Sequence, residues 1–257
     1  MSSRVENRAE WGIRVRDRVR LRWRSVWWLG HVLLTMLYGY RAYGRARVPK
    51  QGGCLLVANH QSFLDPIAVG MGVTRRETFF LGRSTLMSGI PGWDRFLLML
   101  NCIPLDTSKG DISALRGAVQ LAKDGAAVVI FPEGSRTFDG ALQPFQPGVA
   151  LLLKRAKVPV VPVAVEGAFE AYPRTTLSPK FFGARLAVVY GEPIEAKKLL
   201  EKGPEQALHL LGEKIDALRL EARAKLQKRT HGIYPTTRLG DQRSAVLDAA
   251  DESAEAA

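Results

Sequence analysis

A chain of 257 residues, 46% hydrophobic and 24% charged, can bury a full core and is too apolar to stay unfolded throughout. Its two cysteines, Cys54 and Cys102, both fall near apolar runs; they read as small core residues and offer no disulfide framework. The net charge of +12 is uneven: residues 1–50 hold 12 Lys/Arg and 3 Asp/Glu (+9), and residues 51–257 hold the other 25 and 22 (+3).

The basic character therefore belongs to the N-terminal arm, which suits either nucleic acid or an anionic lipid surface. Composition favours lipid. Four of the five tryptophans lie in the arm, and residues 25–40, SVWWLGHVLLTMLYGY, carry no Asp, Glu, Lys or Arg. As a helix those residues span about 24 Å, short of the roughly 30 Å hydrocarbon core. An interfacial helix fits better than a crossing one, with Trp and Tyr at headgroup depth and arginines snorkelling toward phosphates. The alternative is an N-terminal helix packed on its own domain. No nucleic-acid-binding motif accompanies the charge, so no nucleic-acid partner is expected. No cleavable signal peptide is recognisable, and a cytoplasmic side is the default.

From about residue 52 short apolar runs alternate with helical patterns. Strands are expected at Cys54–Ala58, Thr78–Leu81, Cys102–Leu105, Ala126–Phe131, Val160–Val165 and Leu186–Tyr190. Helices are expected from Pro66, over Trp93–Leu100, over Ile112–Lys123 with Asp111 as N-cap, over Pro147–Lys154, and from Pro204 to Lys228. This rhythm predicts an α/β fold, a mixed central sheet flanked by helices behind the basic, aromatic arm. The expected division is an arm at 1–44, an α/β domain at 45–229 and a polar, poorly ordered tail at 230–257.

The first chemically informative stretch is VANHQSFLDP, residues 57–66. Its bland reading is a helix start. Asp65 precedes a proline and could cap the helix, and Ser62 with Asp65 has capping-box spacing. The functional reading needs a sharp turn, because residues five apart on one helix diverge by about 140°. With His60 at a strand exit and Asp65 at a helix entry, the imidazole could take a proton from a substrate hydroxyl while the carboxylate orients it. Strand exits of an α/β sheet are where ligands bind.

The second stretch is AAVVIFPEGSRTFDG, residues 126–140. Pro132 ends a buried strand, and Gly134 allows an unusual turn or a close approach. Glu133 and Arg136 leave together, either as a surface ion pair or with Arg136 offering its planar fork to a phosphate or carboxylate. There is no Walker loop, G-x-S-x-G elbow or H-E-x-x-H, and the four histidines form no ligand cluster with the cysteines; no metal or cofactor is expected.

Together the two loops resemble the glycerolipid acyltransferases, and among them the 1-acylglycerol-3-phosphate (lysophosphatidate) acyltransferases. NHQSFLDP carries the family's H-x-x-x-x-D as His60 and Asp65, and FPEGSR its FPEG-[ST]-R as Phe131–Arg136, about 70 residues later. VPVVPVAVEG, residues 158–167, sits at the fourth, apolar-proline motif. The resemblance implies His60 as general base, Asp65 as its orienter, and Glu133, Gly134, Ser135 and Arg136 in the acceptor site. It implies Arg83, in place of a family lysine, on the acceptor phosphate. The donor would be a thioester of coenzyme A or acyl carrier protein, the acceptor a lysophospholipid, and the setting the cytoplasmic face of a membrane. Two departures bear on the acceptor more than on acyl transfer. Thr107 follows Asp106 where the family has arginine, and Gln146 stands where a basic residue is common; Lys109 is a possible substitute. The alternatives are another lysolipid acceptor, a non-catalytic lipid-binding protein at the membrane surface, or a hydrolase in which His60 activates water.

Overall fold

A computed structural model describes residues 21–83, 97, 100–105 and 111–235. In chain order the elements are α1 (Leu21–Tyr38), β1 (Arg41–Tyr43), β2 (Cys54–Ala58), α2 (Asp65–Gly72), β3 (Thr78–Arg83), β4 (Cys102–Leu105), α3 (Asp111–Lys123) and β5 (Ala127–Ile130). They continue with α4 (Gly148–Ala156), β6 (Val160–Glu166), α5 (Ala168–Ala171), β7 (Ala187–Tyr190), α6 (Ala196–Leu199) and α7 (Pro204–Arg229). The helix expected over Trp93–Leu100 lies mostly outside the described residues. So do Thr107, Lys109 and the side chain of Arg83.

All six expected strands are present, joined in one sheet of order β1-β7-β6-β2-β5-β3-β4. The strands from β6 to β4 run parallel, β7 is antiparallel to β6, and β1 is parallel to β7. β2, β5 and β6 are buried along their whole length, which is why they read as unbroken apolar runs: helices cover both faces of a parallel sheet. Pro162 sits inside β6, where it cannot donate to a ladder. It serves there as an acceptor only, its carbonyl taking the Gly191 N–H at 2.8 Å.

Two layers cover the sheet. Leu56, Ala58 and Val129 point toward α2, which brings Ala68, Val69 and Met71. Leu55, Val57, Val128 and Ile130 point the other way, toward α3, α4 and α7. The chain leaving β2 therefore crosses on one face and the chain leaving β5 on the other. Between the carboxyl ends of these neighbours lies the topological switch point, where open α/β sheets hold ligands.

Residues before the expected boundary at 44 take part in the sheet and its core. β1 is a strand of the sheet, and Leu34, Tyr38 and Tyr40 are in its core. A three-residue edge strand carries too little pattern to be read from sequence. The opposite side of α1 exposes Trp28, Leu29, Leu33 and Met36. The helix thus packs on its own domain along one face and is apolar along the other. No described helix is long and apolar enough to cross a membrane. At the other end, Tyr234 packs on the core and its hydroxyl donates to Gly167 O at 2.6 Å, so the fold extends past residue 229 to at least Pro235.

Candidate active site

The turn after β2 brings His60 and Asp65 together. His60 Nδ1 lies 2.8 Å from Asp65 Oδ2. The same oxygen accepts the backbone N–H of Gln61 and of Ser62, each at 2.6 Å. Asp65 is the first residue of α2 and its carboxylate reaches back along the chain, so it does not cap the helix as the bland reading supposed. One half of the capping box is present, the Ser62 N–H on Asp65. Ser62 Oγ instead donates to Tyr172 O at 2.8 Å, while accepting the Leu64 N–H at 3.2 Å.

Asp65 is 0% exposed, and its Oδ1 has no hydrogen-bond partner. Burial pushes its carboxyl above the usual range, while the His60 ring and the two backbone N–H groups pull it back. An unpartnered buried oxygen costs about 1–3 kcal/mol, so the group is an expensive way to hold a turn. The arrangement makes chemical sense as an orienter: a carboxylate on Nδ1 fixes the proton there and leaves Nε2 as the base. The His60 side chain is 18% exposed and its ring stacks on Phe131 with centroids 4.1 Å apart.

The turn after β5 closes against the first. Glu133, 5% exposed, accepts the His60 backbone N–H on Oε1 at 2.6 Å and the Gln143 N–H on Oε2 at 3.1 Å. The Thr137 N–H in turn donates to His60 O at 2.9 Å. Glu133 is thus buried and not part of a surface pair with Arg136; its oxygens hold the backbone that carries His60. Burial raises its carboxyl to about 8. Gly134 has φ of 73°, and a Cβ there would meet Gln146 Cγ at 3.1 Å; Gln146 packs on this turn and reaches Glu133 O at 3.4 Å. Gly134 and Ser135 are exposed at the turn's tip.

Arg136 lies with its guanidinium carbon 3.5 Å from the centre of the Phe63 ring and has no carboxylate partner among the described residues. Partial burial lowers its pKa, and so does a second cation, Arg174, while Asp65 acts the other way. Arg174 was not expected. It follows α5, stacks on Phe138 at 3.9 Å and donates to Arg136 O at 2.8 Å. Beside the His60–Asp65 pair lie two guanidiniums held on aromatic rings, with no carboxylate partner among the described residues. Arg83 ends β3 in register with Leu105. Among the described residues no group of three or more His, Cys, Asp or Glu could hold a metal ion.

A buried network supports the site from behind. Gln61 Nε2 donates to Gly140 O and to Glu166 Oε2, each at 3.0 Å. Glu166 Oε1 accepts Arg223 Nη1 at 2.8 Å, and Arg219 Nε donates to Asp216 at 2.7 Å. The sequence does hold a signal for it. The apolar stripe of α7 runs through Arg219, and a cation on a buried face demands a buried anion.

The site thus sets a histidine with a buried carboxylate on its Nδ1 at a parallel-sheet switch point, next to two guanidiniums stacked on aromatic rings. The model of the acyltransferase family matches residues 40–166 of this chain, just under half of its length. The chain is 23% identical to the 1-acyl-sn-glycerol-3-phosphate acyltransferase of Bacillus subtilis (strain 168) over 77% of this chain and 94% of that one. A chloroplastic enzyme of the same name from Brassica napus is 33% identical over 47% of this chain and 35% of its own. For the human beta enzyme the figures are 30%, 56% and 52%; the chain thus spans about a third to a half of these longer relatives. The fold is that of the Thermotoga maritima 1-acyl-sn-glycerophosphate acyltransferase, with a TM-score of 0.64 at 24% identity over 80% of this chain and 84% of that one.

Proposed function

We propose that the protein moves a fatty acyl group from an acyl thioester, of coenzyme A or acyl carrier protein, to the free hydroxyl of 1-acylglycerol-3-phosphate, giving phosphatidic acid at the cytoplasmic face of a membrane. His60 Nε2 takes the hydroxyl proton as the oxygen attacks the thioester carbonyl. The carbon–sulfur bond then breaks, and the thiolate leaves with the proton held by His60. Asp65 keeps the other ring proton on Nδ1 and stabilises the imidazolium between the two transfers. No acyl-enzyme forms, and the step calls on no metal or further cofactor. Arg136 and Arg174 hold the acceptor's phosphate, with Arg83 as a third candidate.

The observation that carries the reading is the 2.8 Å His60–Asp65 contact at the switch point, beside an arginine with no carboxylate ion-pair partner among the described residues. The names of the relatives support the acceptor. The test supplies purified protein with labelled acyl-CoA or acyl carrier protein and a panel of lysolipids. Diacyl product on lysophosphatidate, well above lysophosphatidylcholine and glycerol esters lacking phosphate, is expected. Preference for a phosphate-free acceptor would move the assignment to another lysolipid. Free fatty acid without acceptor would make the protein a hydrolase.

A further inference from the structure

Between α5 and β7 the chain leaves the sheet and folds on itself. The Lys180 N–H donates to Ala171 O at 2.8 Å, and Tyr172 Oη donates to Leu177 O at 3.2 Å. The result is a compact loop whose ends meet. Its tip gains nothing from the core: Leu177 is 101% exposed, Phe182 79% and Phe181 52%. From Ala171 to Gly191 the sequence holds Arg174, Lys180 and Arg185 and no acidic residue.

The loop is fastened to the site. Tyr172 O accepts from Ser62 Oγ, inside the His60–Asp65 turn, and Arg174 donates to Arg136 O, both at 2.8 Å. Its far end returns beside α1, where the Leu186 N–H donates to Tyr38 O at 3.0 Å. α1 carries the other exposed apolar stripe. Clustered apolar side chains among cations, on a loop with closed ends, fit the headgroup boundary of an anionic bilayer.

We infer that residues 172–183 form a membrane-inserting loop that seats the mouth of the site on an anionic bilayer. Leu177, Phe181 and Phe182 enter the acyl boundary, and Lys180 and Arg185 meet lipid phosphates. An acceptor could then reach Arg136 and His60 laterally, without crossing water. That purpose rests on the acyl-transfer reading; the insertion does not.

The test labels Phe182→Cys in the full-length protein with an environment-sensitive fluorophore. Cys54 and Cys102 are both buried, and labelled parent protein is the control. On vesicles of phosphatidylcholine with phosphatidylglycerol, the label should brighten, shift blue and be quenched by lipids brominated near the headgroup end of the chain. Leu177→Ser/Phe181→Ser/Phe182→Ser should keep the parent's thermal melt and weaken vesicle binding at least about tenfold. Transfer to a vesicle-embedded acceptor should fall with it, and transfer to a short-chain monomeric acceptor should stay. A label that remains in water while the protein sediments with the vesicles would overturn the inference. So would a label that responds to acyl carrier protein and not to vesicles, or equal binding to phosphatidylcholine alone. Absence of any transfer by the parent would sink the proposed function while leaving the fluorescence result standing.

Discussion

At the scale of single residues, Asp65 sets stability against chemistry. Its Oδ2 takes three donors while Oδ1 has no partner in a fully buried place. An asparagine can put its carbonyl oxygen at the Oδ2 position and keep all three bonds, losing the charge and placing its NH2 where Oδ1 already lacks a partner. Burial opposes that charge, so Asp65→Asn should be as stable as the parent at neutral pH, or more so. Its turnover should nevertheless fall about 10²–10⁴-fold, because a neutral amide cannot stabilise an imidazolium. Urea unfolding and initial rates on the same preparation check both halves; a loss of stability matching the loss of rate would make Asp65 structural. His60→Ala should cut turnover at least about 10²-fold with an unchanged melt. Near-normal turnover would remove His60 from the mechanism. Most of this pair was legible in sequence, since strand, turn and Pro66 were all in VANHQSFLDP. The direction of the Asp65 side chain was not, because a helix cap and a back-bonded carboxylate share the same local pattern.

At the scale of elements, the buried strands were the legible part and the loops that finish the site were not. β2 and β4 have the expected bounds because their apolar runs end abruptly. Glu133 and Arg136 were found as residues, but their partners sit across loop contacts that sequence spacing does not encode. Arg174 lies outside the matched residues 40–166 and was missed for the same reason: its link to Arg136 joins the β6–β7 connection to the β5 exit. Arg174→Ala should raise KM for the phosphorylated acceptor about tenfold or more, with kcat little changed, because it removes a binding cation remote from the transferred proton. Arg174→Lys should recover part of the loss. An effect on donor KM alone would place Arg174 on the thioester side. Glu133 makes a pH prediction. Burial raises its folded carboxyl to about 8 from an ordinary 4.5. Between those values the folded state holds the proton that the unfolded state has released, so Glu133's contribution is fully present below about pH 4.5 and is lost as pH rises through about 8. Glu133→Gln cannot titrate. The parent's urea midpoint should therefore fall relative to the variant's between pH 5 and 8, and parallel curves would show that Glu133 is ionised throughout.

At the scale of the whole molecule, distant parts of the chain meet behind the site. Gln61 comes from the His60–Asp65 turn, Glu166 from the end of β6, and Arg219 and Arg223 from α7. Their contacts span up to 105 residues between Gln61 and Glu166, and 57 between Glu166 and Arg223. The charged members are almost fully buried, with Glu166 and Arg219 at 0% exposure and Arg223 at 6%. The surface pair of Arg47 and Glu192 is shorter, at 2.6 Å, but its side chains are 39% and 74% exposed. Distance and burial therefore point in opposite directions, and burial should decide. Water screens the surface pair to about 0–1 kcal/mol. Arg223→Met leaves Glu166 with one fewer buried donor and should cost about 3–5 kcal/mol, against less than about 1 kcal/mol for Arg47→Ala. Urea unfolding of the two variants beside the parent settles the comparison. Because Gln61 Nε2 shares Glu166 with Arg223, and the Gln61 backbone N–H holds Asp65, Arg223→Met should also lower turnover under conditions where it is fully folded. Full turnover in a folded but weakened variant would show that α7 only clamps the sheet. Lowered turnover would mean that the helix closing the sheet also fixes the carboxylate on which the base depends.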